Sequence, residues 1–261
     1  MTKTALCIGI NDYPGTGSDL AGCVNDARDW ADALTERFFD TEIMLDAQAT
    51  GDAIRDGIRR KLGGASSGDV VVITYSGHGT WVPDADGDEP DHRDEALCPH
   101  DIFSKGPLLD DELYDLFSER ERGVRAVLIS DSCHSGSVAR FAPSLRAEAG
   151  TVRFLPPSTF LSPDEARLAA RMPRVAAGRP RYANLLMSGC QDLEYSYDAH
   201  FNNRPNGAFT YVALDTLRDL KPDATYSAWM AEIARRLPSQ DYPQRPGLNG
   251  SRTQRRWTVL S

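Results

Sequence analysis

Asp131-Ser132-Cys133-His134-Ser135-Gly136 follows directly on the apolar run Val127-Leu128-Ile129. Upstream, Val70-Val71-Val72-Ile73-Thr74-Tyr75 leads in the same way into Ser76-Gly77-His78-Gly79. A cysteine in one small-residue turn and a histidine in another are the parts of a thiol nucleophile and its base. A free thiol is mostly protonated at neutral pH, and an imidazole can take that proton and later return one to a leaving amine. His78 is the first choice of base. His134, adjacent to the cysteine, has difficulty turning back onto its neighbour's thiol and is the second. Taken singly, the same residues also fit a small buried cysteine and a structural histidine.

Positioning them requires two neighbouring strands. Continuous apolar runs bounded by turn residues are the pattern of buried parallel strands, and in open α/β sheets reactive groups collect beyond the strands' carboxyl ends. The rest of the chain supplies the alternation such a sheet needs. Thr4–Ile10 is expected to be the first, central strand, followed by turn chemistry at Asn11-Asp12-Tyr13-Pro14-Gly15. Leu20, Val24, Ala27, Ala31 and Leu34 stand at helical spacing and predict a helix from about Asp19 to Phe38. Glu42–Leu45 reads as a strand, and Thr50 as the N-cap of a helix reaching Leu62 before Gly63-Gly64. Asp110-Asp111-Glu112 opens a helix to about Arg120, the acids suiting its positive end. Val124–Ile129 is the cysteine strand and Ala183–Met187 the next. Helices are expected from about Asn206 to Leu220 and from Ser227 to Leu237, and Arg256–Leu260 as the last strand.

The motifs Tyr75-Ser76-Gly77-His78-Gly79 and Asp131-Ser132-Cys133-His134-Ser135-Gly136, with Asp19-Leu20-Ala21-Gly22-Cys23-Val24-Asn25-Asp26-Ala27 before them, resemble the metacaspases, within the caspase-like cysteine peptidases of clan CD, peptidase C14, and of a prokaryotic kind. His78 precedes Cys133 by 55 positions, near the caspase spacing of about 50. The resemblance implies an α/β caspase-like fold, a mostly parallel six-stranded sheet flanked by helices in a three-layer sandwich. It implies one domain over 1–261, with a large-subunit-like part at 1–136, a linker or insertion at 137–182 and a small-subunit-like part at 183–261. It implies an endopeptidase working through an acyl-thioester, with the backbone N–H groups of Gly79 and Cys133 as oxyanion donors. It also implies cleavage after arginine or lysine, since Cys23, Asp26, Ser76 and Asp131 match the family's basic-residue pocket. Two carboxylates suit a guanidinium. From the residues alone, Asp26 reads rather as a helix-surface charge, and Asp131 also fits a turn cap.

Calcium is a second implication, as an activator and not a participant in the chemistry. Asp94, Asp110 and Asp111 match the family's ligand positions and are hard oxygen donors, whereas a fourth position carries Arg140. The surrounding acids, Asp84 to Glu95, do not have EF-hand spacing, because Gly87 comes too early. They also fit a solvated loop of like charges.

The stretch 137–182 is rich in arginine and proline and reads as an insertion or long surface loop, with one short helix from Glu165 to Met172. Arg171, Arg174, Arg179 and Arg181 are candidate self-cleavage points, since arginine would fit the proposed pocket. A catalytically silent or partner-activated interaction module is the competing reading.

Composition sets the outer bounds. Net charge is −9, which argues against a nucleic-acid footprint. No apolar run approaches the ~18 residues of a membrane helix. No leader is visible, the five cysteines are widely spaced and lack a C-x-x-C pair, and a reduced, cytoplasmic setting is expected. The family resemblance adds a monomer acting on protein or peptide substrates. No Gly-x-Ser-x-Gly elbow follows a predicted strand, and no phosphate loop is present, which argues against other hydrolase classes.

Overall fold

The computed structural model of the chain describes residues 1–84, 93–133, 150–171, 183–191 and 194–261. At its centre lies β3 (Val70–Ser76), buried along its whole length. Side-chain alternation sends Val71, Ile73 and Tyr75 to one face and Val70 and Val72 to the other, so a continuous apolar run feeds two cores. β1 (Lys3–Gly9) and β7 (Arg125–Asp131) flank β3 in parallel, and β2 (Asp40–Leu45) and β9 (Leu185–Ser188) extend the sheet in parallel on either side. β12 (Gly247–Asn249) closes it antiparallel to β9, giving the order β12-β9-β7-β3-β1-β2. The expected six-stranded, mostly parallel sheet is therefore present.

Helices cover both faces. α1 (Cys23–Thr35), α6 (Ala208–Arg218) and α7 (Tyr226–Ile233) pack Trp30, Leu34, Phe209 and Trp229 onto one. α2 (Gly51–Gly63) and α4 (Asp110–Ser118) pack Ile54, Ile58, Leu116 and Phe117 onto the other. Thr50 caps α2 as its sequence suggests, its side chain accepting from Ala53 N at 3.3 Å.

Three expectations need correction. α1 starts at Cys23, not near Asp19, because Asp19 accepts the Tyr13 N–H and holds a loop. Asn11 Oδ1 instead caps the helix, accepting from Cys23 N at 2.8 Å and Val24 N at 3.2 Å. Arg256–Leu260 is not a strand of the sheet. It contacts the α7 region through Tyr226 N to Trp257 O and Val259 N to Ala224 O, and the sheet's sixth strand is β12.

The third correction concerns the arginine-rich stretch, part of which is not a surface loop. β8 (Thr151–Val152) pairs antiparallel with β10 (Tyr197–Phe201), which pairs with β11 (Arg204–Gly207), and Arg153 is fully buried. The short helix does form, as α5 (Pro163–Arg171). A further small sheet joins β4 (Gly79–Pro83), β5 (Arg93–Leu97) and β6 (Leu108–Leu109).

Candidate active site

Parallel pairing sets Gly9, Ser76 and Asp131 level at the carboxyl ends of β1, β3 and β7. His78 lies two residues past this row on β3, and Cys133 two residues past it on β7. Both are buried. His78 is held from three sides: its N–H donates to the Tyr13 hydroxyl at 2.8 Å, its carbonyl accepts from the Tyr75 hydroxyl at 2.7 Å, and its ring lies 4.7 Å from the Tyr13 ring. Gly77 permits this, since a Cβ there would meet both tyrosine hydroxyls at 2.5 and 2.6 Å.

The tautomer follows from one contact. His78 Nε2 lies 2.6 Å from the Ser18 carbonyl. A carbonyl only accepts, so Nε2 carries the proton. Nδ1 is then a lone pair, and it is buried without a hydrogen-bond partner among the described residues. Burial pushes the His78 pKa down to about 4, against the opposing pull of the Ser18 carbonyl. At neutral pH the ring is therefore uncharged and able to take a proton.

Gly79 N and Cys133 N, the expected oxyanion donors, converge on one acceptor. Both donate to the backbone carbonyl of Arg153, at 3.1 and 3.2 Å. Arg153 N donates in turn to Ser196 O at 2.9 Å. The Arg153 side chain runs into a pocket of three carboxylates. Nη2 bonds Asp26 Oδ2 at 2.6 Å and Asp198 Oδ1 at 2.9 Å, and Nη1 lies 3.2 Å from Asp131 Oδ2. Burial opposes charge on this guanidinium, but Asp131, Asp26 and Asp198 outweigh it and hold it protonated.

Each carboxylate is fixed by its own donors. Asp26 accepts from Gly207 N at 2.9 Å and Asn206 Nδ2 at 3.0 Å. Asp131 accepts from Thr210 N at 2.9 Å, from the Thr210 hydroxyl at 2.8 Å, and from Ser196 Oγ. Asp198 accepts from Ala21 N at 2.7 Å and Gly22 N at 3.0 Å. Gly207 and Thr210 begin α6, so two of the carboxylates lie at that helix's positive end. Cys23 opens α1, is buried among the same charges, and burial pushes its thiol up, leaving it neutral. Ser76, also buried, is level with Asp131.

The structure thus gathers Cys23, Asp26, Ser76, Asp131, His78, Gly79 and Cys133 at one sheet end. Sequence reasoning missed Asp198, Ser196, Ser18 and the occupant Arg153. Asp198 sits in a stretch without a motif, and its partners Ala21 and Gly22 are about 176 positions away. Arg153 carried one unused signal: Thr151-Val152-Arg153-Phe154-Leu155 is strand-forming and apolar within a proline-rich region.

The remaining candidates divide. Arg140, Arg174, Arg179, Arg181 and His134 lie outside the described residues, as does the side chain of Arg171, which ends α5. Asp94 lies on β5, and Asp110 and Asp111 open α4 just after β6. Among the described residues, no group of three or more histidine, cysteine, aspartate or glutamate side chains is placed to hold a metal ion.

Comparison with known proteins places this geometry among relatives. Residues 3–141, more than half of the chain, match the metacaspase peptidase C14 domain. Metacaspase-1 of Cryptococcus neoformans is 31% identical over 287 aligned positions, covering 95% of this chain and 62% of its own length. Metacaspase-7 of Arabidopsis thaliana is 39% identical over 163 positions, covering 59% of this chain and 40% of its own length. The chain thus spans less than two thirds of either relative. A Geobacter sulfurreducens protein of known crystal structure is 30% identical with a TM-score of 0.76, covering 100% of this chain and 99% of that one. Caspase-1 from Spodoptera frugiperda, at 12% identity and a TM-score of 0.61 over 95% of this chain and 86% of that one, shares the fold.

Proposed function

The chain belongs to the metacaspases, a family of cysteine-type peptidases acting on proteins, and from that premise we propose an endopeptidase that cuts after arginine or lysine with Cys133 as nucleophile and His78 as base. One observation carries the reading: a buried arginine of the chain itself puts its guanidinium on three carboxylates and its carbonyl between two N–H donors. A substrate arginine in the same place would present its carbonyl carbon to Cys133 with the oxygen already paired. The Cys133 thiol proton passes to His78 Nδ1 as sulfur adds to the carbonyl. Charge growing on oxygen is met by Gly79 N and Cys133 N, fixed dipoles of the kind whose removal costs ~10²–10³ in rate. The C–N bond then breaks, the amine leaves with the proton from His78, and an acyl-thioester remains on Cys133. Water completes the cycle, giving its proton to His78 as it attacks, and the thiol regains that proton as the acid departs.

The direct test is an arginyl chloromethyl ketone beside its aspartyl counterpart, with the labelled peptide identified by mass spectrometry. Labelling of Cys133 by the arginyl probe alone supports the proposal. Preference for the aspartyl probe would refute it.

Self-processing belongs to the same reading. The occupied pocket adds the Arg153–Phe154 bond as a candidate beside Arg171, Arg174, Arg179 and Arg181. Intact-mass analysis should give a fragment beginning at Phe154 in the parent chain and none in Cys133→Ala. The full burial of Cys133 favours one competing reading, a silent module whose site stays blocked until a partner acts. Calcium activation through Asp94, Asp110 and Asp111 is a separate proposal, tested by adding calcium to the parent chain and to Asp111→Asn.

A further inference from the structure

We propose that the groove continues past the scissile bond into a second subsite, built on β4, that takes a bulky apolar residue immediately after the basic one. This rests on reading Arg153 as the stand-in for a substrate's basic residue. Phe154 then stands for the residue that follows, and Leu155 for the next.

The backbone on this side is held along its length. Gly79 bridges Phe154 in parallel, Leu155 N donates to Gly79 O at 2.9 Å, and the buried Thr80 hydroxyl donates to the Leu155 carbonyl at 2.7 Å. Gly79 therefore serves both sides of the bond, its N–H on the Arg153 carbonyl and its carbonyl on Leu155 N. Such main-chain pairing adds affinity without choosing a side chain. Choice must come from what the Phe154 ring meets.

Phe154 is 6% exposed and shares a buried cluster with Trp81, Cys133, Ala169 and Cys190, against which Val152, Leu161 and Tyr195 are partly buried. Trp81 is fixed in turn. It pairs across to Glu95 in the β4–β5 register, and the Arg93 guanidinium lies 4.0 Å from its ring centroid. The surface is the Trp81 indole and the sulfur of Cys190, beside the nucleophile Cys133. It fits an aromatic or large aliphatic side chain, leaves glycine without contacts, and surrounds a carboxylate mainly with ring carbon and sulfur.

Quenched peptides carrying arginine at the cleaved position and Phe, Leu, Gly or Asp after it test this. They are to be run with the full chain and with Arg153→Ala, which removes the resident side chain. The expected kcat/KM for Phe and Leu exceeds that for Gly by roughly ten- to a hundredfold, with Asp lowest. Trp81→Ala should bring the Phe-to-Gly ratio toward one, and Trp81→Phe should keep most of it. Within the chain itself, Phe154→Asp should slow scission after Arg153 about tenfold or more, and Phe154→Leu should not. Equal rates for all four peptides would overturn the subsite and leave the basic pocket standing. Absence of cleavage after arginine in every peptide, with both proteins, would overturn the reading of Arg153 and the subsite with it.

Discussion

Three carboxylates around one guanidinium leave a surplus of negative charge, and Asp26 registers it. Burial, with Asp131 nearby, raises the Asp26 pKa to about 6 even though Arg153 pulls it down. Below pH about 6 Asp26 takes up a proton and its hold on a cationic side chain weakens. The KM of an arginine peptide should therefore climb as pH falls from 7 to 5, as an initial-rate series would detect. His78 affects stability in the same range. Its pKa falls from 6.5 to about 4 on folding, so between those values the unfolded chain holds a proton that the folded chain does not. Stability is thus lost as pH drops through that window. Asp198→Asn keeps an acceptor for Ala21 N and Gly22 N but removes one charge from the pocket, and should raise KM for arginine peptides by about tenfold or more. An unchanged KM would place Asp198 outside recognition. Asp26 and Asp131 were legible because they lie in recognisable motifs. Asp198 was not, because only the fold brings β10 against the start of α1.

Among the elements, α6 does more for the site than its helical periodicity suggests. Its first turn supplies Gly207 N to Asp26 and Thr210 N to Asp131. Gly207 has an ordinary extended backbone, so its small size matters for space and not for conformation. A Cβ there would press on Asp131 Oδ2 and stand 2.5 Å from Arg153 Nη1. Gly207→Ala should lower kcat/KM for arginine peptides by about tenfold or more, chiefly through KM, because the added methyl stands where a guanidinium must lie. Most helices and parallel strands were readable from period and caps, since each buries a continuous apolar face. β12 was not, because Gly247–Asn249 has no apolar run. Arg256–Leu260 misled for the opposite reason: its apolar residues pack on the α7 region and the sheet's core face without pairing as a strand of the sheet.

At the scale of the whole molecule, the resting chain carries its own ligand. Cys133 and Arg153 are both fully buried, one over the other, so access to the thiol requires the segment from Thr151 to Leu155 to leave. All five cysteines are buried and none is in a disulfide. Burial raises the Cys7 thiol to about 12, and likewise pushes Cys23 and Cys98 well above the ordinary range. Arg153→Ala should thus speed iodoacetamide alkylation of Cys133 by about tenfold or more while Cys7, Cys23 and Cys98 stay slow. Peptide-level mass spectrometry separates them. The same change should lower the melting temperature, since it leaves three buried carboxylates unpaired, and breaking a buried pair typically costs ~3–5 kcal/mol.

The central claim is that this acid-lined pocket presents a basic residue to Cys133. Its most direct test is initial-rate hydrolysis of paired fluorogenic peptides ending in arginine and in aspartate, by the parent chain and by Cys133→Ala. Arginine cleavage that disappears with Cys133→Ala, with no aspartate cleavage at any enzyme concentration, is the result expected. Aspartate cleavage, or arginine cleavage that survives the loss of Cys133, would contradict it.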